Sequence, residues 1–490
     1  MSGHVAGFSR NQGMLLPYTL EEYVDEENPV RFIDAFVDCL DLKRLGFRHS
    51  EPEEVGRPPY DPADLLKLYI YGYLNQVRTS RKLERECQRN MEVMWLIKRL
   101  TPDFKTIADF RKDNVDCIKK VFTEFLCHSM ELGLVGGELV SLDGAKLKAV
   151  NSKDRNLNLK TLADKLKRIE EKIETYLKEI EANDRSEEAQ SPLPHVERRS
   201  KLRERIQKLR EKMNQYSNLL CSLKESGENE VSLTDPDSRL MKDRGRMDVC
   251  YNTHMVVDSK NHIIVEYEAT NNASDNNSLS RMAKNTKKVL RVERLEVTAD
   301  KGFFSEEQVK ECVDNGITPY LPEPKKSARG YAKTAGIPTP EFYEEKFLYD
   351  KTTDTYTCPA GKTLRFRHWH RNGEDKTVGL YMTDRACFTC PFFMVKCTRN
   401  KKGRVIQRWI HETVLEEMRL RIKLEPEKLE LRRNLSEHPI GTIKRAFNQG
   451  YLLMKGLRKV NGEAGFTMLA YNMRRAINIL GAKTLTASLG

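Results

Sequence analysis

The feature that most limits the fold is a long stretch of helical periodicity set between two β-rich segments. Within residues 155–225, Leu159, Leu162, Leu166, Ile169, Ile173, Tyr176 and Ile180 recur at spacings of three and four. Leu202, Ile206, Leu209, Met213, Tyr216 and Leu220 repeat the pattern. Between the two seams lie Asn183-Asp184-Arg185-Ser186 and Ser191-Pro192-Leu193-Pro194, residues that stop helices. Two such seams around one break predict an antiparallel helical hairpin with coiled-coil packing. A β-containing core that holds this hairpin must be assembled from segments far apart in sequence.

The flanks supply those segments. Glu138-Leu-Val-Ser-Leu-Asp143 reads as a strand that ends at a carboxylate, followed by Gly144. Val249–Asp258 and His262–Thr270 are β-rich and joined by Ser259-Lys260-Asn261, which predicts a hairpin. A helix follows with Leu279, Met282, Ala283, Thr286 and Leu290 on one face. Leu295-Glu-Val-Thr-Ala-Asp300 is a second strand ending at a carboxylate. Ser305-Glu-Glu-Gln308 has the form of a capping box, for a helix that stops near Asn315-Gly316, and Ile317–Leu321 is a further strand. Strands alternating with helices predict an α/β core.

Residues 1 to about 135 read as all-helical. Asp61 is a good N-cap, with Pro62 at the first helical position after the turn Arg57-Pro-Pro-Tyr-Asp-Pro62. Short helices with Arg78, Arg81, Lys82, Arg85 and Arg89 between them resemble a helix-turn-helix unit. The 490 residues leave room for about three domains. Aromatics at 8% and apolar periodicity that recurs along the chain argue against global disorder. No apolar run approaches the ~18 residues of a membrane span. The first twenty residues hold no apolar signal-peptide core, so a cytoplasmic location is expected.

The net charge is +12, which suits a polyanionic partner. Arg399–Lys459 carries 16 Lys and Arg against 7 Asp and Glu, so most of the excess sits there. Eleven cysteines, an odd number, argue against a disulfide framework. Four of them cluster: Cys358, Cys387, Cys390 and Cys397. Cys358-Pro-Ala-Gly361 and Cys387-Phe-Thr-Cys-Pro391 look like two turns that present thiolates to one ion, as in a closed tetrahedral Zn²⁺ site. Reduced cysteines packed in a small β subdomain are the other reading; His368 and His370 lie nearby as substitute ligands.

Asp143 and Asp300 each close a strand, and ligands of open α/β sheets bind at strand carboxyl ends. Two carboxylates there suit a Mg²⁺ ion that keeps water and phosphate ligands. In Arg432-Arg-Asn-Leu-Ser-Glu-His-Pro-Ile-Gly-Thr-Ile-Lys-Arg445, Glu437 and Lys444 are seven apart and share a helical face; Arg433 joins it one turn earlier. Pro439 predicts that the helix begins near Ser436 or kinks there. His438 is expected to have a local structural role. A carboxylate flanked by Arg and Lys suits a cation held against phosphodiesters.

Taken in order, these segments resemble bacterial insertion-sequence transposases of the DDE superfamily, in the group with an RNase H-like catalytic domain and a Y-R-E-K type third motif. Arg57–Pro62 and Thr106-Ile-Ala-Asp-Phe-Arg111 are similar to that family's helical N-terminal domain. Ser141-Leu-Asp-Gly-Ala-Lys146 looks like its first-Asp strand, and Thr298–Phe304 matches D-x-G-x-F/Y at Asp300, Gly302 and Phe304. Arg433, Glu437 and Lys444 match R-x3-E-x6-K, with Glu430 where the family has its tyrosine.

The resemblance implies an α/β RNase H-like catalytic core with an all-α N-terminal domain, a helical-hairpin insertion and a small cysteine-containing insertion. The implied divisions are 1–135 (DNA-binding), 136–154 and 247–322 (core), 155–246 (hairpin), 323–430 (cysteine insertion, opening with the loop Pro324–Gly330) and 431–490 (helices completing the core). It implies DNA cleavage and strand transfer at transposon ends, with Asp143, Asp300 and Glu437 holding Mg²⁺ or Mn²⁺ and with Arg433 and Lys444 on phosphates. The implied partners are terminal inverted repeats, target DNA and a second copy of the chain in a synaptic homodimer, with no membrane. A catalytically silent DNA-binding derivative, a nuclease that does not join, and a helical scaffold built around the hairpin are the rival readings.

Overall fold

A computed structural model describes residues 19–51, 58–151, 155–186, 193–228, 230–243, 245–324, 338–372 and 376–490, and no side chain over 181–199. Arg57, Ser191, Pro192 and residues 325–330 of the loop that opens the second insertion lie outside the described residues. The chain is mixed α/β and folds as two units. One comprises residues 1–273, 289–291 and 434–490; the other comprises 274–288 and 292–433.

The first unit begins with helices, among them Pro62–Leu74, Ser80–Arg89, Phe104–Asp113 and Cys117–Glu131. Asp61 caps the first of these by accepting the Ala63 N–H at 2.8 Å, with Pro62 at the first position. Nearly every residue of Pro62–Leu74 is buried. Tyr69 and Tyr73 stack on Phe466 of the C-terminal helix Leu457–Leu480, with ring centroids 5.3 and 5.1 Å apart. That helix approaches its neighbours so closely at Gly462 and Gly465 that a Cβ would collide with Val115 and with the Tyr267 hydroxyl. Stacked aromatic pairs add about 0.5–1.5 kcal/mol each beyond the area they bury.

Arg81, Lys82, Arg85 and Arg89 are exposed, as a basic helix face requires. Arg78 departs from that expectation, being only 5% exposed. Its guanidinium donates to the Tyr451 carbonyl at 3.0 Å and the Asn448 carbonyl at 3.2 Å, and lies 4.4 Å from the Tyr451 ring centroid. Asn448 has a left-handed φ of 50°, so the chain turns sharply there and leaves carbonyls that a five-donor fork can satisfy. Glu463, fully buried, faces Arg78 at 3.6 Å and accepts the backbone N–H groups of Leu453 and Met454.

The strands of this unit are β1 (Leu139–Lys148), β2 (Asn156–Asn158), β3 (Glu230–Ser232), β4 (Arg239–Asp243), β5 (Arg246–Asp258) and β6 (Ile264–Thr270). β5 is antiparallel to β1 along one edge; β4 and β6 share its other edge in succession. The β5–β6 hairpin is thus present. β2 pairs with β3 beside helices Leu159–Ser186 and Leu193–Ser226, whose Leu162, Ile169, Tyr216 and Leu223 form a core of their own. The helical hairpin is as the periodicity predicts.

Asp143 does not end its strand. The β1–β5 ladder runs unbroken from Val140 opposite Asp258 to Lys148 opposite Cys250, with Asp143 opposite Met255. Ala145 and Leu147 beyond Gly144 keep the inward alternation at 4% and 3% exposure, so burial carries the strand past the glycine.

Helix Leu279–Leu290, of which residues 279–288 belong to the second unit, buries the face read from its sequence. β7 (Leu295–Ala299) runs parallel to β8 (Ile317–Tyr320), linked through helix Glu306–Asp314. The capping box does not form. Ser305 donates to Glu307 at 2.6 Å, and Gln308 instead accepts the Ser280 N–H at 3.0 Å, at the start of the neighbouring helix. The hydroxyl is turned toward the Glu307 carboxylate, and its oxygen does not accept a backbone N–H of the first turn as a capping box requires. A five-stranded antiparallel sheet follows, with β9 (Leu348–Asp350), β10 (Thr355–Thr357), β11 (Thr363–Asn372), β12 (Lys376–Met382) and β13 (Val405–Trp409) side by side in order. Its core is Phe342, Phe347, Tyr356, Leu364, Tyr381, Cys397 and Ile406.

Candidate active site

β1 and the helix Glu427–Gly441 are fastened together beside two of the three carboxylates. The hydroxyls of Ser141 and Ser436 lie 2.8 Å apart, and both residues are fully buried. Ser141 is two positions before Asp143 and so on the same face of β1; Ser436 immediately precedes Glu437. Leu435, Ser436 and Pro439 form the buried side of the helix, while Arg433 and Glu437 are exposed. Asp143 accepts the Gly144 N–H on Oδ1 at 2.7 Å, which orients its carboxylate.

The helix starts at Glu427, earlier than Pro439 alone predicts, and contains the proline. A proline inside a helix removes one N–H and crowds the carbonyl four residues back, here that of Leu435. Beyond the helix, Thr442–Ala446 is a π-helical turn. Lys444 sits in that turn, so the seven-residue spacing to Glu437 no longer closes on two α-helical turns. Lys444 instead pairs with Asp243 of β4 at 3.6 Å, its side chain 15% exposed. His438 has the local role expected of it. Its Nδ1 lies 3.2 Å from the Tyr471 hydroxyl and its ring 5.3 Å from that of His262. Burial, reinforced by Arg475, holds its imidazole below the usual pKa.

Sequence reasoning missed Ser436, Asp243 and the Arg78–Glu463 pair as parts of this region. Ser436 carried a signal, because a small hydroxyl on the apolar side of a motif helix needs a buried partner. Asp243 carried none.

Asp300 belongs to the second unit. It closes β7 as read, and accepts the Lys301 N–H at 2.8 Å to cap the turn Lys301–Phe303. Within that turn a Cβ on Gly302 would stand 3.5 Å from the Asp275 carboxylate. Glu430 is exposed. Also in the second unit, Cys358, Cys387, Cys390 and Cys397 line one pocket. Among the described residues, no three His, Cys, Asp or Glu side chains are arranged to hold a metal ion as they stand.

Much of the basic excess of Arg399–Lys459 is neutralised internally. Arg408 pairs with Glu416, Arg419 with Glu323 and Glu412, Lys428 with Glu296 and Glu425, and Arg458 with Asp116. Arg399, Lys401, Lys402, Arg433, Arg445 and Lys455 remain exposed. Among the described residues no helix is long and apolar enough to cross a membrane.

Comparison with known proteins gives these sites a context. Residues 18–113 match the family described as Transposase domain (DUF772), and residues 357–477 match the family described as Transposase DDE domain. The second match contains Arg433, Glu437, Lys444 and the four clustered cysteines. No curated protein matches the chain. A solved structure described as a cryo-EM structure of piggyBac transposase synaptic complex with hairpin DNA is similar at 9% identity and a TM-score of 0.30, over 94% of this chain and 79% of that one. A likeness that low carries no argument about the fold. Two segments of the chain are thus similar to transposase families, the second of them to a DDE domain.

Proposed function

We propose that the protein binds transposon terminal inverted repeats and catalyses metal-dependent DNA cleavage and strand transfer, on a core of RNase H-like type. The observation that carries this reading is the buried Ser141–Ser436 bond, which ties the first-Asp strand to the helix bearing Glu437. Asp143, Asp300 and Glu437 would hold Mg²⁺ or Mn²⁺. Hard carboxylate oxygens suit those ions, and Asp143 and Asp300 are each oriented by a backbone N–H. Bound there, divalent ions would supply Lewis-acid activation of an oxygen nucleophile and charge stabilisation for the leaving oxygen.

The chain's own residues do the rest. Arg433, exposed one turn before Glu437, meets a phosphate beside the scissile bond. Lys444 reaches the same backbone by exchanging Asp243 for a phosphate oxygen, a replacement of one anion by another. The exposed cations around Arg445 and Lys455 track the duplex. Two copies are expected to act together on paired ends.

The test is a strand-transfer assay with a precleaved transposon end, target DNA and Mg²⁺. Joined product is expected from the intact chain and none from Asp143→Asn, Asp300→Asn or Glu437→Gln. Cleavage without joining would reduce the protein to a nuclease, and binding without either would make it a silent derivative.

A further inference from the structure

We propose that the cysteine pocket of the second unit is a structural zinc site, closed by the thiolates of Cys358, Cys387, Cys390 and Cys397. The first support is convergence. All four thiols line the same pocket, although Cys358 lies 29 residues before Cys387 in the sequence.

The second support is the form of the turns. Cys358 Sγ accepts the Lys362 N–H at 3.2 Å, while the Gly361 N–H donates to the Cys358 carbonyl at 2.8 Å and Gly361 takes a left-handed φ of 72°. Cys387 Sγ accepts the Thr383 hydroxyl at 3.1 Å, and the Cys390 N–H donates to the Cys387 carbonyl at 3.1 Å. Donors aimed at sulfur stabilise the thiolate form that a metal needs, and such partners orient the ligands of metal sites. The rest of the lining is Phe342, Ala360, Leu364 and Phe393 with Lys362 and Arg404. Apolar side chains thus pack beside the thiols, and two cations stand by to offset the net charge of a four-thiolate centre. Four soft donors with no open position select Zn²⁺ and a structural role.

As they stand, no three of these groups meet the geometry of a bound ion. Binding must therefore draw the turns inward, each thiol losing its proton to solvent as a sulfur–metal bond forms. The gain is local order. Cys397 belongs to the core of the five-stranded sheet, and Cys358 packs against it. An ion joining them to Cys387 and Cys390 fixes the long β12–β13 connection to that core.

The experiment uses the full chain without a polyhistidine tag, produced in zinc-containing medium. Native mass spectrometry is expected to show one zinc per chain. Co²⁺ exchanged for it is expected to give thiolate charge-transfer absorption and the intense visible bands of a tetrahedral site. Cys390→Ser is expected to lose the ion, and Cys221→Ser, on the exposed helical hairpin, to keep it. In case Cys390→Ser fails to fold, alkylation of the intact chain supplies a second measurement. The four cysteines should be protected until a chelator is added and protected again by added zinc. Metal-free protein whose four thiols alkylate equally with and without zinc would overturn the proposal, as would a disulfide among them. Transposase activity enters none of these readouts.

Discussion

The motif helix and the cysteine pocket place their reactive groups in opposite ways. Around Glu437 those groups face solvent, and the scaffold beneath them is what is buried. Arg433 and Glu437 are exposed, while Ser141, Ser436 and Glu463 have no accessible surface. In the pocket the reactive groups are themselves packed: Cys397 is buried and the other three thiols are half-buried. Groups that must meet a large polyanion have to stay open to it. Groups that hold an ion for structural reasons have to be closed to everything else. Removing a group of the first kind should cost chemistry and leave the fold; removing one of the second kind should cost local fold and reach chemistry only through it.

The largest effect expected is at the exposed carboxylate. Glu437→Gln keeps size and hydrogen-bonding reach but removes the charge, and strand transfer should fall by several orders of magnitude with an unchanged melting temperature. End binding should persist. A drop in melting temperature of similar weight to the lost activity would erase the contrast between the two regions.

The buried scaffold should behave in the reverse manner. Arg78→Ala leaves the Glu463 carboxylate, fully buried, without its cation, at a cost of about 3–5 kcal/mol measured by denaturant unfolding. Whatever protein remains folded should still bind DNA. Ser436→Ala removes the Ser141–Ser436 bond and should cost about 0.5–1.5 kcal/mol, with some loss of strand transfer if the bond also positions Glu437. Lys444→Ala should lower the slope of log affinity against log salt by about 1 and weaken binding to all sequences alike. Glu430→Gln, an exposed change, should stay within about 0.5 kcal/mol in stability and leave the rate alone.

Elements whose burial repeats with a simple period were legible in the sequence. The helical hairpin and the face of Leu279–Leu290 follow from spacing alone, because one side of each packs and the other does not. The end of β1 was not legible. Gly144 signals a break, and only pairing with β5, a hundred residues away, shows that none occurs. The π turn after Pro439 was hidden as well, because no residue type in Thr442–Ala446 marks a widened helical turn. Within the candidate site, residue types and motif spacing named Asp143, Asp300, Glu437, Arg433 and Lys444. They could not name Asp243 as the partner of Lys444, nor distinguish Arg78, which is buried, from the exposed arginines that follow it. Charge is visible in a sequence; whether it is already answered is a matter of tertiary contact.

The proposed binding of shared catalytic ions by Asp143, Asp300 and Glu437 can be read out by iron-directed cleavage. With Fe²⁺ in place of Mg²⁺ on the DNA-bound chain, ascorbate and peroxide generate radicals at the metal that cut the nearest backbone. Cuts near residues 143, 300 and 437 are predicted, all three fading together in Glu437→Gln. Cuts that spare residue 143 or residue 300, or that survive unchanged in Glu437→Gln, would contradict it.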